Sequence, residues 1–547
     1  MKTPQRSLLA LAVVATLAQA QVAPDAGRTL QQEQQQPVEP PRPGTTVVIP
    51  VTPTQAPAPG GATVALKAVV FHGQTRLSDA SLQALVRGAI GKPLDMAGLW
   101  ALAQQVSEAY RAAGYPFARA YLPPQDLQDG TLRIEIVEGR FGRVRASGDP
   151  ALAPSADAFL KALVPGDVIE SAPLERSVMI LGDLPGIVVA PVMRPGEQPG
   201  TGDLDLDVRR GPRAGGSVSL DDQGNRYTGQ LRLQLDLRAG SAVAFGDQVS
   251  VHAMATDAKL WFGSLGYSLP VGGNGLRGHV EAAHTYYHLG REFQSLDAGG
   301  TANVVSAGMS WPFVRSQRAN LSLDVTATHK SLRDEQGAAG TSQSKSSNSL
   351  PLALAFDLRD DALGGGLSYG TLSLTPGHLA LGPTLAVTDG STAHTAGNYA
   401  RLNLDAARTQ TVSADVSLYG RVAAQWASKN LDSSEGFGPG GITGVRAFPG
   451  GEAYGDAGWV TQLELRRQLG GVQGYAFYDI GGSRTDVHPW APGRNARVLS
   501  GGGVGLRGQV ERFVFDASIA HADRGGPVTS EKPAHRTQVW ASVSMGF

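Results

Sequence analysis

Along the last three-fifths of the chain, apolar and polar side chains alternate with a period of two. Leu231, Leu233, Leu235 and Leu237 alternate with Arg232, Gln234, Asp236 and Arg238. Ala319, Leu321, Leu323, Val325 and Ala327 do the same against Asn320, Ser322, Asp324, Thr326 and Thr328, and so do Val539, Ala541, Val543, Met545 and Phe547 against Gln538, Ser542, Ser544 and Gly546. That period belongs to strands with one apolar and one polar face. About sixteen such strands fit between residues 215 and 547, at roughly 21 residues for each strand with its connection, which suits membrane strands of ~10 residues. A soluble sandwich and a transmembrane barrel with its apolar face in lipid both produce this alternation. The polar face repeats Arg, Asp, Glu and Gln more than one solvated face needs, and an even-numbered closed barrel leaves no sheet edge unpaired. The expected fold is therefore a transmembrane β-barrel of about sixteen antiparallel strands over 213–547.

Between 64 and 210 strand-like and helix-like periods take turns. Residues 64–71 read as a strand. Ser78 is an N-cap for a helix aligning Leu82, Leu85 and Val86. Asp95 caps a second helix with Leu99, Leu102, Ala103, Val106 and Tyr110 inward and Gly114 at its stop. Strands at 118–122 and 131–138 complete the unit. The order recurs as a strand at 140–147, helices at 157–164 and 173–181, and strands at 188–194 and 204–210. Two small α+β domains of β-α-α-β-β order are thus expected before the barrel, at 63–138 and 139–212.

Residues 1–20 have the layout of an export signal: Lys2 and Arg6, an apolar stretch over 8–18, and Ala18-Gln19-Ala20 as a small-x-small cleavage site. The Gln-rich segment 21–36 predicts a short helix at 28–36, and without an apolar stripe it needs polar surroundings. From 37 to 62 the chain carries Pro37, Pro40, Pro41, Pro43, Pro50, Pro53, Pro57 and Pro59. These favour an extended tether reaching roughly 70 Å, although an ordinary interdomain linker has the same composition.

Composition narrows the chemistry. With 47 Lys+Arg against 48 Asp+Glu and 17% charged residues, the chain lacks the basic excess of a nucleic-acid binder. The absence of Cys excludes disulfides, thiolate metal sites and thiol nucleophiles. Gly366-Leu367-Ser368-Tyr369-Gly370 fits G-x-S-x-G, but an alternating strand follows where a nucleophile elbow requires a helix. Gly503-Val504-Gly505-Leu506-Arg507-Gly508 fits a dinucleotide fingerprint and also lacks its helix. His284 and His288 have no acidic third ligand nearby. No enzyme chemistry, metal or cofactor is expected.

The most informative stretch joins two long strands: Ser433-Ser434-Glu435-Gly436-Phe437-Gly438-Pro439-Gly440-Gly441-Ile442-Thr443-Gly444-Val445-Arg446-Ala447-Phe448, running on to Gly455-Asp456-Ala457-Gly458-Trp459. Its single strong cation, Arg446, stands among apolar residues and glycines, so an inward-folded loop must supply a fixed carboxylate. Strand 474–481 offers one. Period two puts Phe477, Asp479 and Gly481 on one face, with the small Gly481 leaving space beside the carboxylate.

This stretch resembles the S-S-E-x-F-x-x-G-G-x-x-x-V-R-G-Y/F loop leading to G-D-x-G-W of the two-partner-secretion outer-membrane translocators (TpsB), and 477–481 resembles their F-x-D-x-G strand. The family lies within the wider outer-membrane assembly-factor superfamily, and the likeness covers essentially the whole mature chain. It implies that 63–138 and 139–212 are polypeptide-transport-associated (POTRA) domains in the periplasm and that 21–36 plugs the lumen. It implies a reentrant extracellular loop at about 430–456, whose motif is carried by Glu435, Gly440, Gly441, Val445, Ala447 and Phe448. Arg446 would be the tip arginine locked to Asp479 on the wall, between Phe477 and Gly481, and Phe547 the C-terminal assembly signal. Ala447 departs from the family's usual Gly; it is strained if that site needs a positive φ and neutral otherwise. The implied function is secretion of a cognate exoprotein, recognised in the periplasm by its N-terminal secretion domain and threaded unfolded through the barrel. Outer-membrane lipid and the barrel-assembly machinery are further implied partners, and nucleic acid is not. The alternatives are an outer-membrane assembly or insertion factor and a passive porin.

Overall fold

The computed structural model describes residues 23–34, 39–41 and 56–547. The export signal at 1–20, the end of the helix expected at 28–36, and residues 37–38 and 42–55 of the proline-rich tether lie outside the described residues. The alternating segments from Ala214 to Gly546 form one closed antiparallel barrel of sixteen strands. One strand is interrupted: Thr341–Ser349 and Leu352–Asp360 both lie between Ala319–Gln336 and Gly366–Leu381. The break falls at Leu350-Pro351, where proline has no N–H to give the ladder. Leu233, Leu265, Val305, Met309, Leu463 and Val504 are exposed on the outer face, while Gln462, Glu464 and Asp479 point inward and are buried. Among the described residues no helix is long and apolar enough to cross a membrane. The crossing is made by strands, whose closed sheet pairs backbone groups from strand to strand without water.

Connections alternate in length. Turns such as 271–276 and 470–471 mark one end, and loops such as 382–396 and 428–456 the other. The seam is narrow, with residues 542–546 pairing with 217–221. At the seam Phe547 and Gly216 exchange both backbone hydrogen bonds at 3.0 Å, and the Phe547 side chain stays exposed.

Ahead of the barrel lie two small α+β domains with mixed sheets. In the first, Thr131–Val137 is central, parallel to Ala68–His72 and antiparallel to Arg119–Tyr121. Helices Asp79–Val86 and Met96–Ala112 cover it, burying Leu82, Val86, Leu99, Val106 and Tyr110 against Leu132 and Ile134. The strand expected at 64–71 is split into Val64–Ala65 and Ala68–His72, because Leu66 turns into the core between them. In the second domain Thr201–Arg210 lies between Arg140–Gly148 and Ile187–Pro195, under the helix Ser171–Gly182. The helix expected at 157–164 is shorter and earlier, a turn at Ala153–Ala156 continued by the 3₁₀ turn Asp157–Phe159. The Asp157 carboxylate accepts the Ala146 N–H at 2.7 Å, and Pro165 disfavours helix at Val164.

The second domain packs on the short-turn end of the barrel. Arg176 donates to the carbonyl oxygens of Pro312 at 2.6 Å and Asn274 at 2.9 Å. Arg315 donates to both carboxylate oxygens of Asp183 at 2.6 and 2.7 Å.

Inside the barrel lies the helix Ala26–Gln34. It begins two residues earlier than its sequence suggests, since Asp25 accepts the Arg28 N–H at 2.8 Å as an N-cap. Its surroundings are not purely polar either. Ala26 and Leu30, one turn apart, are buried against Tyr227, Met254, Tyr287, Ala302 and Leu332. Two apolar positions are too few to read as a stripe, yet enough to seat a nine-residue helix.

Candidate functional site

The loop 428–456 leaves the strand Val416–Ala427, enters the lumen and returns into Ala457–Leu469. It holds its own shape. Phe437 and Gly455 exchange backbone hydrogen bonds at 2.7 and 3.0 Å, and Val445 N–H donates to the Pro439 carbonyl at 2.7 Å. Gly441 has φ +102°, and a Cβ on Gly440 would come within 2.6 Å of the Pro449 oxygen, so both sites admit only glycine without strain. The tip residues Val445, Ala447 and Phe448 are fully buried.

At the tip, Arg446 donates to Asp479 in bidentate fashion, Nε to Oδ2 at 2.8 Å and Nη2 to Oδ1 at 2.7 Å. Its backbone N–H reaches the same Oδ2 at 3.1 Å, and its carbonyl accepts the Trp540 indole N–H at 2.7 Å. The guanidinium lies 3.7 Å over the Phe477 ring. Burial opposes the charge, but Asp479 and then Glu464 raise Arg446 above the ordinary guanidinium range. A planar fork with two acids and an aromatic face beneath it matches arginine and not lysine.

The structure thus brings Arg446, Asp479 and Phe477 together. Gly481 serves differently from its expected place beside the carboxylate. A Cβ there would meet Val445 Cγ2 at 3.2 Å and the Trp459 oxygen at 2.8 Å, so the notch receives Val445. Ala447 is not among the positive-φ residues, and its methyl packs over Gly501, where an added Cβ would lie 2.4 Å away. The departure from glycine at 447 is therefore accommodated without backbone strain.

Sequence reasoning missed the second acid. Arg446 Nη1 donates to Glu464 at 2.5 Å, and Glu464 also accepts from Arg466 at 2.8 Å and Arg507 at 2.7 Å. The signal was present, since Gln462, Glu464 and Arg466 alternate with Leu463 and Leu465 on an inward face.

A second cluster joins the base of the loop to the helix Ala26–Gln34. Asp432 caps the 3₁₀ turn Ser433–Glu435 by accepting the Ser434 N–H at 3.0 Å. Lys345, from the barrel wall, donates to Asp432 at 2.8 Å, Ser433 at 3.0 Å and Asp25, the N-cap of the inner helix, at 3.1 Å. Ser433 Oγ also donates to Asp25 at 2.5 Å. Glu435 is buried and forms ion pairs with Lys330 at 2.8 Å and Arg401 at 3.0 Å. Burial works against its charge, but Lys330 and then Arg401 hold its carboxyl below the usual range. Lys345 and Asp25 lie 320 residues apart, and no local pattern links them.

The residues flagged by enzyme motifs lie elsewhere. Ser368 sits within the strand Gly366–Leu381, where its hydroxyl accepts from Arg408 at 2.7 Å, and no strand-to-helix elbow surrounds it. His284 pairs with Asn303 at 2.6 Å across adjacent strands.

The loop 428–456 and the helix Ala26–Gln34 thus both lie within the barrel, and the second small domain packs at one mouth. The haemolysin secretion/activation protein family ShlB/FhaC/HecB matches residues 200–508. The chain belongs to this family. A ShlB-type POTRA domain matches 64–139. The heme/hemopexin transporter protein HuxB of Haemophilus influenzae is 28% identical over 396 residues, covering 70% of this chain and 68% of the relative. The outer membrane transporter CdiB of Escherichia coli is 28% identical over 234 residues, 41% of this chain and 39% of the relative. Among solved structures, CdiB from Escherichia coli superposes with a TM-score of 0.70 at 19% identity over 96% of both chains. BamA from Haemophilus ducreyi, lacking POTRA domains 1–3, superposes with a TM-score of 0.52 at 14% identity, over 89% of this chain and 100% of that one, a likeness of fold alone. As a ShlB/FhaC/HecB-type protein, this chain is an outer-membrane translocator of two-partner secretion, with POTRA domains in the periplasm and an exoprotein as cargo.

Proposed function

We propose that the barrel rests closed and is opened by its cargo, with Arg446, Asp479 and Glu464 as the lock on the reentrant loop. The observation that carries this reading is the bidentate Arg446–Asp479 pair, buried inside a lumen that the loop and the helix Ala26–Gln34 both enter. The two periplasmic domains take up the exoprotein's N-terminal secretion domain through groove contacts and strand addition; the outer strands Ala68–His72 and Ile187–Pro195 offer free edges. The plug then withdraws along its tether, the loop yields, and the cargo threads unfolded past the polar wall. Folding outside biases the motion outward. The exposed side chain of Phe547 at the seam suits recognition by the barrel-assembly machinery during insertion.

The test is Arg446→Ala in the full-length protein. Removing one partner of a buried pair costs about 3–5 kcal/mol, so the barrel should insert normally while secretion falls at least tenfold. Exoprotein in the medium is measured against folded barrel in the outer membrane. Wild-type secretion from this variant would reduce the pair to a structural ornament of the loop.

A further inference from the structure

Where the second periplasmic domain meets the barrel there is a recess of about 730 Å³, lined by none of the loop or inner-helix residues. Phe159, Ala162, Pro173 and Ile180 form its domain side, and Val271 and Val314 its barrel side. The barrel side belongs to the short-turn end and to the lipid-facing row. Phe313 and Val314 are each 43% exposed and Val271 42%, continuing the outward positions Met309 and Trp311. The recess therefore opens onto the surface that hydrocarbon covers, at the level of the periplasmic leaflet.

Its charge is one-sided. Lys161, Arg176 and Arg315 line it and no acidic side chain does, although the whole chain has a net charge of −1. Arg176 and Arg315 are fixed by the Pro312 and Asn274 carbonyls and by Asp183, whereas Lys161 is exposed and has no ion pair among the described residues. The walls are held apart by firm contact alongside. A Cβ on Gly273 would come within 2.0 Å of the Ala158 oxygen, so turn and domain already touch backbone to backbone. An apolar slot continuous with the bilayer and rimmed by cations has the chemistry of a lipid with an anionic head.

We propose that this recess binds one anionic phospholipid of the periplasmic leaflet, its acyl chain between Phe159 and Val314 and its phosphate on Lys161 and Arg176. The lipid would fill the gap beside the docked domain and hold that domain against the membrane surface. The assignment requires only that the barrel sit in the outer membrane, so it stands or falls separately from the lock at Arg446.

Native mass spectrometry of the full-length protein in detergent tests it, with dioleoyl phosphatidylglycerol as the probe and phosphatidylcholine of the same chains as the comparison. One phosphatidylglycerol should be retained, at least fivefold more than phosphatidylcholine, and millimolar inorganic phosphate should not displace it. Lys161→Glu should lower retention at least fivefold. Ala162→Trp, a substitution at an exposed position, should fill the slot and do the same. Heat-modifiable migration of each variant checks that the barrel is folded, and either folded variant suffices. Equal retention of both lipids, unchanged retention in a folded variant, displacement by phosphate, or displacement by the exoprotein's secretion domain would each overturn the assignment.

Discussion

Lys345 binds two separable pieces of the protein at once, Asp25 of the plug and Asp432 at the base of the loop. A buried cation shared in this way makes the two departures interdependent, because removal of either acid changes what holds the other. Lys345→Met should loosen both. Single-channel recordings in planar bilayers should then show openings at least ten times as frequent as in wild type, and Asp25→Asn added to Lys345→Met should contribute little more. Asp456 gives the loop a dependence on pH. It is 6% exposed and accepts only the backbone N–H groups of Leu431 and Val487. Burial first, and Asp486 second, push its carboxyl up to about 6 from an ordinary 3.8. A group raised in the folded loop favours the folded loop when protonated. The inward position is therefore steadied at low pH and loses that support as pH rises from about 4 through 6. Opening should be rarer at pH 4.5 than at pH 7.5, and Asp456→Asn should flatten the profile.

The plug is a helix of nine residues, too short to persist alone in water. Its register in the lumen is set by Leu30, which is fully buried among Tyr227, Tyr287 and Leu332. A charge there has no partner, so Leu30→Asp should expel the helix and raise baseline conductance while the barrel stays intact. The element scale also shows what sequence carries and what it hides. Strands of the barrel announce themselves, because lipid on one side and water on the other enforce the period of two. The plug's seat does not, since Ala26 and Leu30 pack among residues hundreds of positions away and nothing near them in sequence records it. The same contrast holds at the loop tip. Arg446 demanded an acid and period two offered Asp479, whereas Glu464 lay on the preceding strand of the same hairpin, opposite Phe477, and only the pairing register brings it into range. The helix expected at 157–164 fails for a local reason: the Asp157 carboxylate accepts the Ala146 N–H, and Pro165 stops helix at Val164.

At the scale of the whole molecule, recognition and passage occupy separate bodies. The first periplasmic domain makes its own core from Leu66, Phe71, Val106 and Ile134. Arg176, Asp183 and Arg315 fix the second domain to the barrel. Deleting residues 64–138 should therefore leave a barrel that folds, inserts and conducts as before, while the exoprotein accumulates in the periplasm. Secretion at wild-type levels from the deletion would assign recognition to the second domain alone.

The wall opposite the loop tip is shaped by two missing side chains. Gly481 receives Val445 and Gly501 receives Ala447, on neighbouring strands and two residues apart in register. Slipping the tip by one residue would press methyl groups onto backbone. In the proposed cycle a loop returning after export thus has one seat to find, like a key cut for two wards, and the pore that reseals is the pore that was opened.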